Sequence, residues 1–153
     1  MTEIKEYNFE TKKILSTLQE WVEVESPTFD KEAVNRMMDL CSNFLAEMGG
    51  KIERLPGKKN LGDCVRAAFN ETPENINSPG ILIMGHMDTV HPLGTLRKLP
   101  FRIDGDKCFG PGIFDMKSGN LIAMEAVKML MRKGDLPNLK IKILIMRKIN
   151  KLS

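Results

Sequence analysis

The chain has 153 residues, 42% of them hydrophobic, which suffices for the core of one ordinary domain and not for two. Its 23 basic and 20 acidic residues leave a net charge of +3, spread without a long run or an aromatic-interleaved patch, which argues against a nucleic-acid partner. Cys41, Cys64 and Cys108 form no close pair, no apolar run approaches the ~20 residues of a bilayer span, and the charged segment from Met1 to Glu6 leads into no apolar signal core, so the expectation is a cytoplasmic protein with free thiols and no membrane partner.

In residues 8–24 the apolar positions Ile14, Leu15, Leu18, Trp21 and Val22 recur at three- and four-residue spacing, which predicts an amphipathic helix ended by Ser26-Pro27. A second helix is predicted over residues 30–48, with Val34, Met37, Met38, Cys41, Phe44, Leu45 and Met48 on one face and Gly49-Gly50 as its stop. That Met-rich stripe fits either an adaptable binding groove or a packed core, as does Trp21. Residues 51–55 and 63–69 read as short strands, and residues 70–79, rich in Asn, Pro, Thr, Glu and Ser, as a loop. The continuous apolar run of residues 80–85 predicts a buried central strand. Residues 92–112 form a long Gly- and Pro-dense loop with a hairpin near 101–108, followed by a helix over 117–132 whose surface is apolar almost all round. Gly134-Asp135-Leu136-Pro137 turns the chain into a last strand, 139–146, again apolar enough to be central. The fold class expected is α/β, one mixed or mostly parallel sheet flanked by helices.

His86 and Asp88 stand two apart at the end of a strand, so both side chains project to one side just where the sheet opens to solvent. Histidine is a common nitrogen ligand for zinc, and a neighbouring carboxylate can hold its other ring N–H, although the same pair also occurs in ordinary polar turns. Asp115, between Gly110-Pro111-Gly112 and a predicted helix, reads on local sequence as an N-cap before a metal ligand, and the two roles need not exclude each other.

Taken jointly, Ile81 to Met84 with Gly85-His86-Met87-Asp88-Thr89-Val90, then Leu99-Pro100-Phe101-Arg102 and Asp104-Gly105-Asp106, then Gly110 to Gly119, resemble the dinuclear zinc peptidases and deacylases. This family contains glutamate carboxypeptidase, acetylornithine deacetylase, succinyl-diaminopimelate desuccinylase and aminoacylase; the glutamate carboxypeptidase branch is the most similar. The resemblance extends from about Trp21, through Ser26-Pro27, to Met146, and implies that His86 ligates one of two zinc ions, Asp115 bridges both, and Asp88 is the catalytic residue that orients the His86 imidazole. It further implies hydrolysis of an amide or peptide bond in a small peptide or N-acyl amino acid, and a peptide bond after Asp115 that is often cis. Ser118 departs from the Lys-Gly-Gly of the family, and His91 matches no ligand position.

After the strand matching 139–146 the family carries an Asp-Glu-Glu motif with the general base and a further ligand, where this chain reads Arg147-Lys148-Ile149-Asn150. The expectation is therefore residues 1–146 as the N-terminal part of a catalytic domain and 147–153 as a non-matching basic tail, the reading of the gene being frameshifted or prematurely ended. The lid or dimerisation domain and the returning half of the catalytic domain are then absent, and the chain alone is inactive. The competing expectations are a non-catalytic remnant that binds metal weakly or associates through an exposed sheet edge, and an unrelated α/β domain with a coincidental match.

Overall fold

The computed structural model describes residues 7–136 and 138–147. Helix α1 (Thr11–Glu23) buries Leu18, Trp21 and Val22, and α2 (Lys31–Glu47) begins where the Asp30 carboxylate accepts the Ala33 N–H at 2.8 Å. Met37 and Met38 are fully buried and Trp21 nearly so, which settles the Met-rich stripe and Trp21 as core. Strands β1 (Lys51–Leu55), β2 (Cys64–Phe69), β3 (Gly80–His86) and β6 (Lys140–Met146) form one mixed sheet in the order β1-β2-β6-β3. β6 runs antiparallel to β2 and parallel to β3, while β4 (Arg102–Asp104) and β5 (Lys107–Phe109) make the separate hairpin. Helix α3 (Ser118–Lys133) fills the crossover between β3 and β6.

Alternation along the strands sends Val65, Ala67 and Phe69 of β2 and Ile141, Ile143 and Ile145 of β6 to one face, where they meet the buried residues of all three helices in a single core. The other face carries Arg66, paired with Glu53, and Lys142, 3.3 Å from Glu71. β6 is central, as its apolar sequence suggests, and β3 is not. It lies at the sheet edge among the described residues, with Ile81 42%, Leu82 57% and Met84 51% exposed, which corrects the expectation of a buried central strand. A continuous apolar run records a tendency to be covered on both faces, and here one neighbour and one helix layer supply only part of that cover. α3 likewise buries Leu121, Met124 and Val127 but leaves Ile122 65% exposed, so its apolar surface is not covered all round.

No described helix is long and apolar enough to cross a membrane. Cys41, Cys64 and Cys108 are free, and burial pushes the Cys41 thiol up to about 12. The basic tail, Arg147 apart, lies outside the described residues, as do residues 1–6 and Pro137 of the turn before β6.

Because Ile143 is fully buried at the middle of the central strand, Ile143→Ala should lower the unfolding free energy by about 2–5 kcal/mol in denaturant titrations. Leu82→Lys, on the exposed edge, should change it by no more than about 0.5 kcal/mol.

Candidate metal centre

His86 is the last residue of β3, paired with Met146. Its ring lies between two aspartates. Nε2 is 3.0 Å from Asp115 Oδ1, and Nδ1 is 3.2 Å from the Asp88 carbonyl oxygen and 3.3 Å from Asp88 Oδ1. Exposure grades across the three side chains, from none for Asp88 through 15% for His86 to 54% for Asp115, so the cluster is rooted in the interior and opens to solvent at Asp115. The Asp88 carboxylate raises the imidazole above its ordinary pKa against partial desolvation, and Asp115 adds to the effect.

Local sequence explains how Asp115 arrives there. Gly112 has φ +75°, and a Cβ on it would come within 2.5 Å of the Thr89 methyl, so only glycine allows the chain to turn so close to the β3 exit. The turn Ile113–Lys117 follows, closed by the Lys117 N–H donating to the Gly112 carbonyl at 3.0 Å, with non-helical backbone at Asp115 and Met116 and a cis peptide bond between them. Helix α3 starts only at Ser118, with Lys117 at its N-cap position and no side chain capping it. Asp115 is therefore not the N-cap that its place before a helix allows; its carboxylate points to His86. Gly85 makes the complementary contact: a Cβ there would lie 1.9 Å from Asn120 Oδ1, and its absence lets α3 approach until Asn120 Nδ2 donates to the His86 carbonyl at 2.6 Å.

Several residues that hold this arrangement were not singled out for it by sequence. Ser26 Oγ donates to the Met87 carbonyl at 2.8 Å, and Thr28 Oγ1 to the Thr89 carbonyl at 3.2 Å. The backbone adds Thr89 N–H to Ser26 O at 2.8 Å and Thr28 N–H to Thr89 O at 3.0 Å, so the strap after α1 grips the chain on both sides of Asp88. Glu25 accepts the Gly94 and Leu96 N–H groups at 2.6 and 2.8 Å, which draws its pKa below the ordinary glutamate value. Lys117 is 1% exposed, donates to the Trp21 and Val24 carbonyls at 2.8 and 2.9 Å, and is lowered to about 8 by burial, against the charges of Asp88 and Glu25. The only sequence signal for these was the Ser26-Pro27 helix stop and the position of Lys117 beside Asp115. His91 stands in the loop beyond Thr89 and takes no part in the His86–Asp115 contact.

Zinc-ligand bonds of ~2.0–2.2 Å place two donors of one ion about 3–4 Å apart, a spacing that His86 Nε2 and Asp115 Oδ1 meet. The pair thus fits part of a metal site. Among the described residues no group of three or more His, Cys, Asp and Glu side chains is arranged to hold a metal ion.

Residues 82–147 match peptidase family M20/M25/M40. Carboxypeptidase G2 of Pseudomonas sp. (strain RS-16) is 33% identical over 121 residues, covering 79% of this chain and 28% of that protein. The fold matches human carnosine dipeptidase 1 with a TM-score of 0.73 at 20% identity, over 89% of this chain and 32% of that one. It also matches an M20 family metallo-carboxypeptidase of Sulfolobus solfataricus with a TM-score of 0.72 at 22% identity, over 88% and 30%. Sheet and helices together form the α/β fold found in part of these proteins. The chain is thus similar to peptidase family M20/M25/M40 over residues 82–147 and spans 28% of the length of the curated relative it matches.

The lowered pKa of Glu25 sets an acid-side dependence. A carboxylate whose folded pKa lies below its unfolded value supports the fold above the unfolded pKa and loses that support as pH falls through the folded one. The Gly94 and Leu96 amide resonances should therefore hold steady on acidification until below the ordinary glutamate range and then shift, and Glu25→Gln should displace both at neutral pH.

Proposed function

We propose that this chain carries part of the active centre of a metal-dependent hydrolase of peptide or amide bonds, of the carboxypeptidase or N-acyl amino acid deacylase type, with zinc as its metal. The observation that carries the reading is His86 placed between Asp88 and Asp115, with Nε2 and the Asp115 carboxylate 3.0 Å apart on the solvent side. Asp88 accepts the Nδ1–H from its buried position, which fixes the tautomer and leaves Nε2 as a lone pair directed outward. Asp115 brings negative charge to the same point from a turn open to solvent, where its carboxylate would be a second ligand. The metal, when bound, polarises the scissile carbonyl. A small peptide or N-acyl amino acid is the substrate class that the family relationship supports.

Catalytic zinc sites use three protein ligands, and water activation needs a proton acceptor. His86 and Asp115 would supply two ligands and Asp88 would serve the His86 ring; among the described residues no group of three or more His, Cys, Asp and Glu that could hold a metal is found. With two such ligands alone, zinc would be held weakly and hydrolysis would be slow. Zinc affinity, read by competition with a chromophoric chelator, should fall to background in His86→Ala and in Asp115→Asn. Joining a segment that begins with Asp-Glu-Glu after Met146 should raise affinity and chelator-sensitive hydrolysis of dipeptides or N-acyl amino acids together. Hydrolysis that survives His86→Ala or chelation in that extended protein sinks the reading.

The exposed edge favours a second reading, in which the chain acts by association. β3 is free of charge from Gly80 to Gly85, unlike natural edge strands that carry charge to block pairing, and two copies can pair antiparallel through it without like charges meeting. Light scattering should then show a dimer or larger species that Met84→Lys dissociates; a monodisperse wild-type monomer excludes this route.

A further inference from the structure

Asp88 and Lys117 are the charged side chains buried among the described residues, each 1% exposed. They are of opposite sign, and each acts electrostatically on the other. An isolated buried charge is costly, and a buried pair is tolerated only when its remaining hydrogen-bonding capacity is met. Lys117 meets its own by donating to Trp21 O and Val24 O, carbonyls at the end of α1 that have lost their helical partners. A cation at a helix C-terminus is also favoured by the helix dipole.

The connections beyond Lys117 make it more than a cap. Toward Asp115 it closes the turn, because its own N–H donates to Gly112 O two residues after the carboxylate that faces His86. Toward Asp88 it holds the end of α1, from which the chain runs directly into the Ser26–Thr28 strap bound to Met87 and Thr89. Both aspartates that flank the His86 ring are thus tethered, along different routes, to one residue: Asp115 through the Lys117 backbone N–H, and Asp88, by way of the end of α1 and its strap, through the Lys117 ammonium group.

We propose that Lys117 is a positioning residue of the His86 site: it sets the Asp115 turn and the Asp88 strap in mutual register and places the buried positive charge that keeps the Asp88 carboxylate directed at His86 Nδ1. It touches neither substrate nor metal. The inference concerns the site put forward above, and its consequence for metal binding rests on that reading, whereas the register of the ring does not.

The test separates the two. In the full chain without metal at neutral pH, the His86 ring 15N shifts and the solvent exchange of its Nδ1–H are recorded for wild type, Lys117→Met and Lys117→Arg, with unfolding curves for each. A cap alone moves the unfolding midpoint and leaves the ring of the folded protein as it was. The expected result is a folded Lys117→Met whose ring resonances shift and whose Nδ1–H exchanges faster, with Lys117→Arg, which keeps the charge, returning toward wild type. Zinc affinity of Lys117→Met should fall ~10–100-fold, the range seen when residues that orient a metal ligand are removed. A folded Lys117→Met with the wild-type ring signature overturns the proposal, whatever zinc does. Should Lys117→Met not fold, Lys117→Gln is read in the same way, and failure of both to fold reduces Lys117 to a fold residue and overturns it too. A ring change in Lys117→Met together with no zinc binding by wild type supports the positioning role and counts against the metal centre instead.

Discussion

The parallel pairing of β3 with β6 is the constraint from which the rest follows. Two parallel neighbours cannot be joined by a tight turn, so the chain must leave the carboxyl end of β3 and return to the amino end of β6 through a crossover. The returning element is α3, and a helix that runs back along the sheet necessarily begins near the end at which β3 finished. That is why Asp115, just before α3, meets His86, the last residue of β3, across 29 positions of sequence. The contact of Gly85 with Asn120 sets how near the helix comes, and the register Gly85↔Ile145 and His86↔Met146 sets how far the strand projects. Sites at the carboxyl ends of strands in open α/β sheets arise from this geometry, which gathers loop residues over a rigid backbone.

Polar groups buried beneath the site need partners, and the chain supplies them from distant segments. Ser26, Thr28, Thr89, Asp88, Lys117 and Asn120 are all buried, and the hydrogen bonds among them and the neighbouring backbone join the end of α1, the exit of β3 and the start of α3. Such a network stabilises only when complete, since each unmet buried donor or acceptor costs about 1–3 kcal/mol. Its consequence is rigidity under His86, while Asp115 on the outer side remains half exposed. An ordered interior with an open outer carboxylate is the arrangement on which the proposed metal centre rests.

The two edges of the sheet differ. β1 presents Lys51, Glu53 and Arg54, with Arg54 held by Asp39 at 2.9 Å and Asp63 at 3.0 Å, so its charges discourage further pairing. β3 presents Ile81, Leu82 and Met84, with no charge before His86. The apolar run that suggests a central strand reports a real physical demand for cover. Hydrophobicity can state that demand, but it cannot state which segment meets it or whether one does within these residues.

Much of the fold was legible from residue order alone. Periods of three to four in α1 and α2, alternation in β2, the stop at Gly49-Gly50 and the helix break at Ser26-Pro27 are local effects of side-chain geometry and backbone freedom, and each element formed within a few residues of where that physics put it. The candidate site was legible as residue types in order, with His86 and Asp88 at a strand end and Asp115 after a glycine turn. Tertiary structure decided what local physics leaves open: that Asp115 turns to His86 and does not cap α3, that β3 is an edge, and that Lys117 is buried between two distant carbonyls and near Asp88. The reason is the same in each case. A carboxylate, an apolar strand and an ammonium group each have several ways to satisfy their local chemistry, and only the packing of segments far apart in sequence selects one.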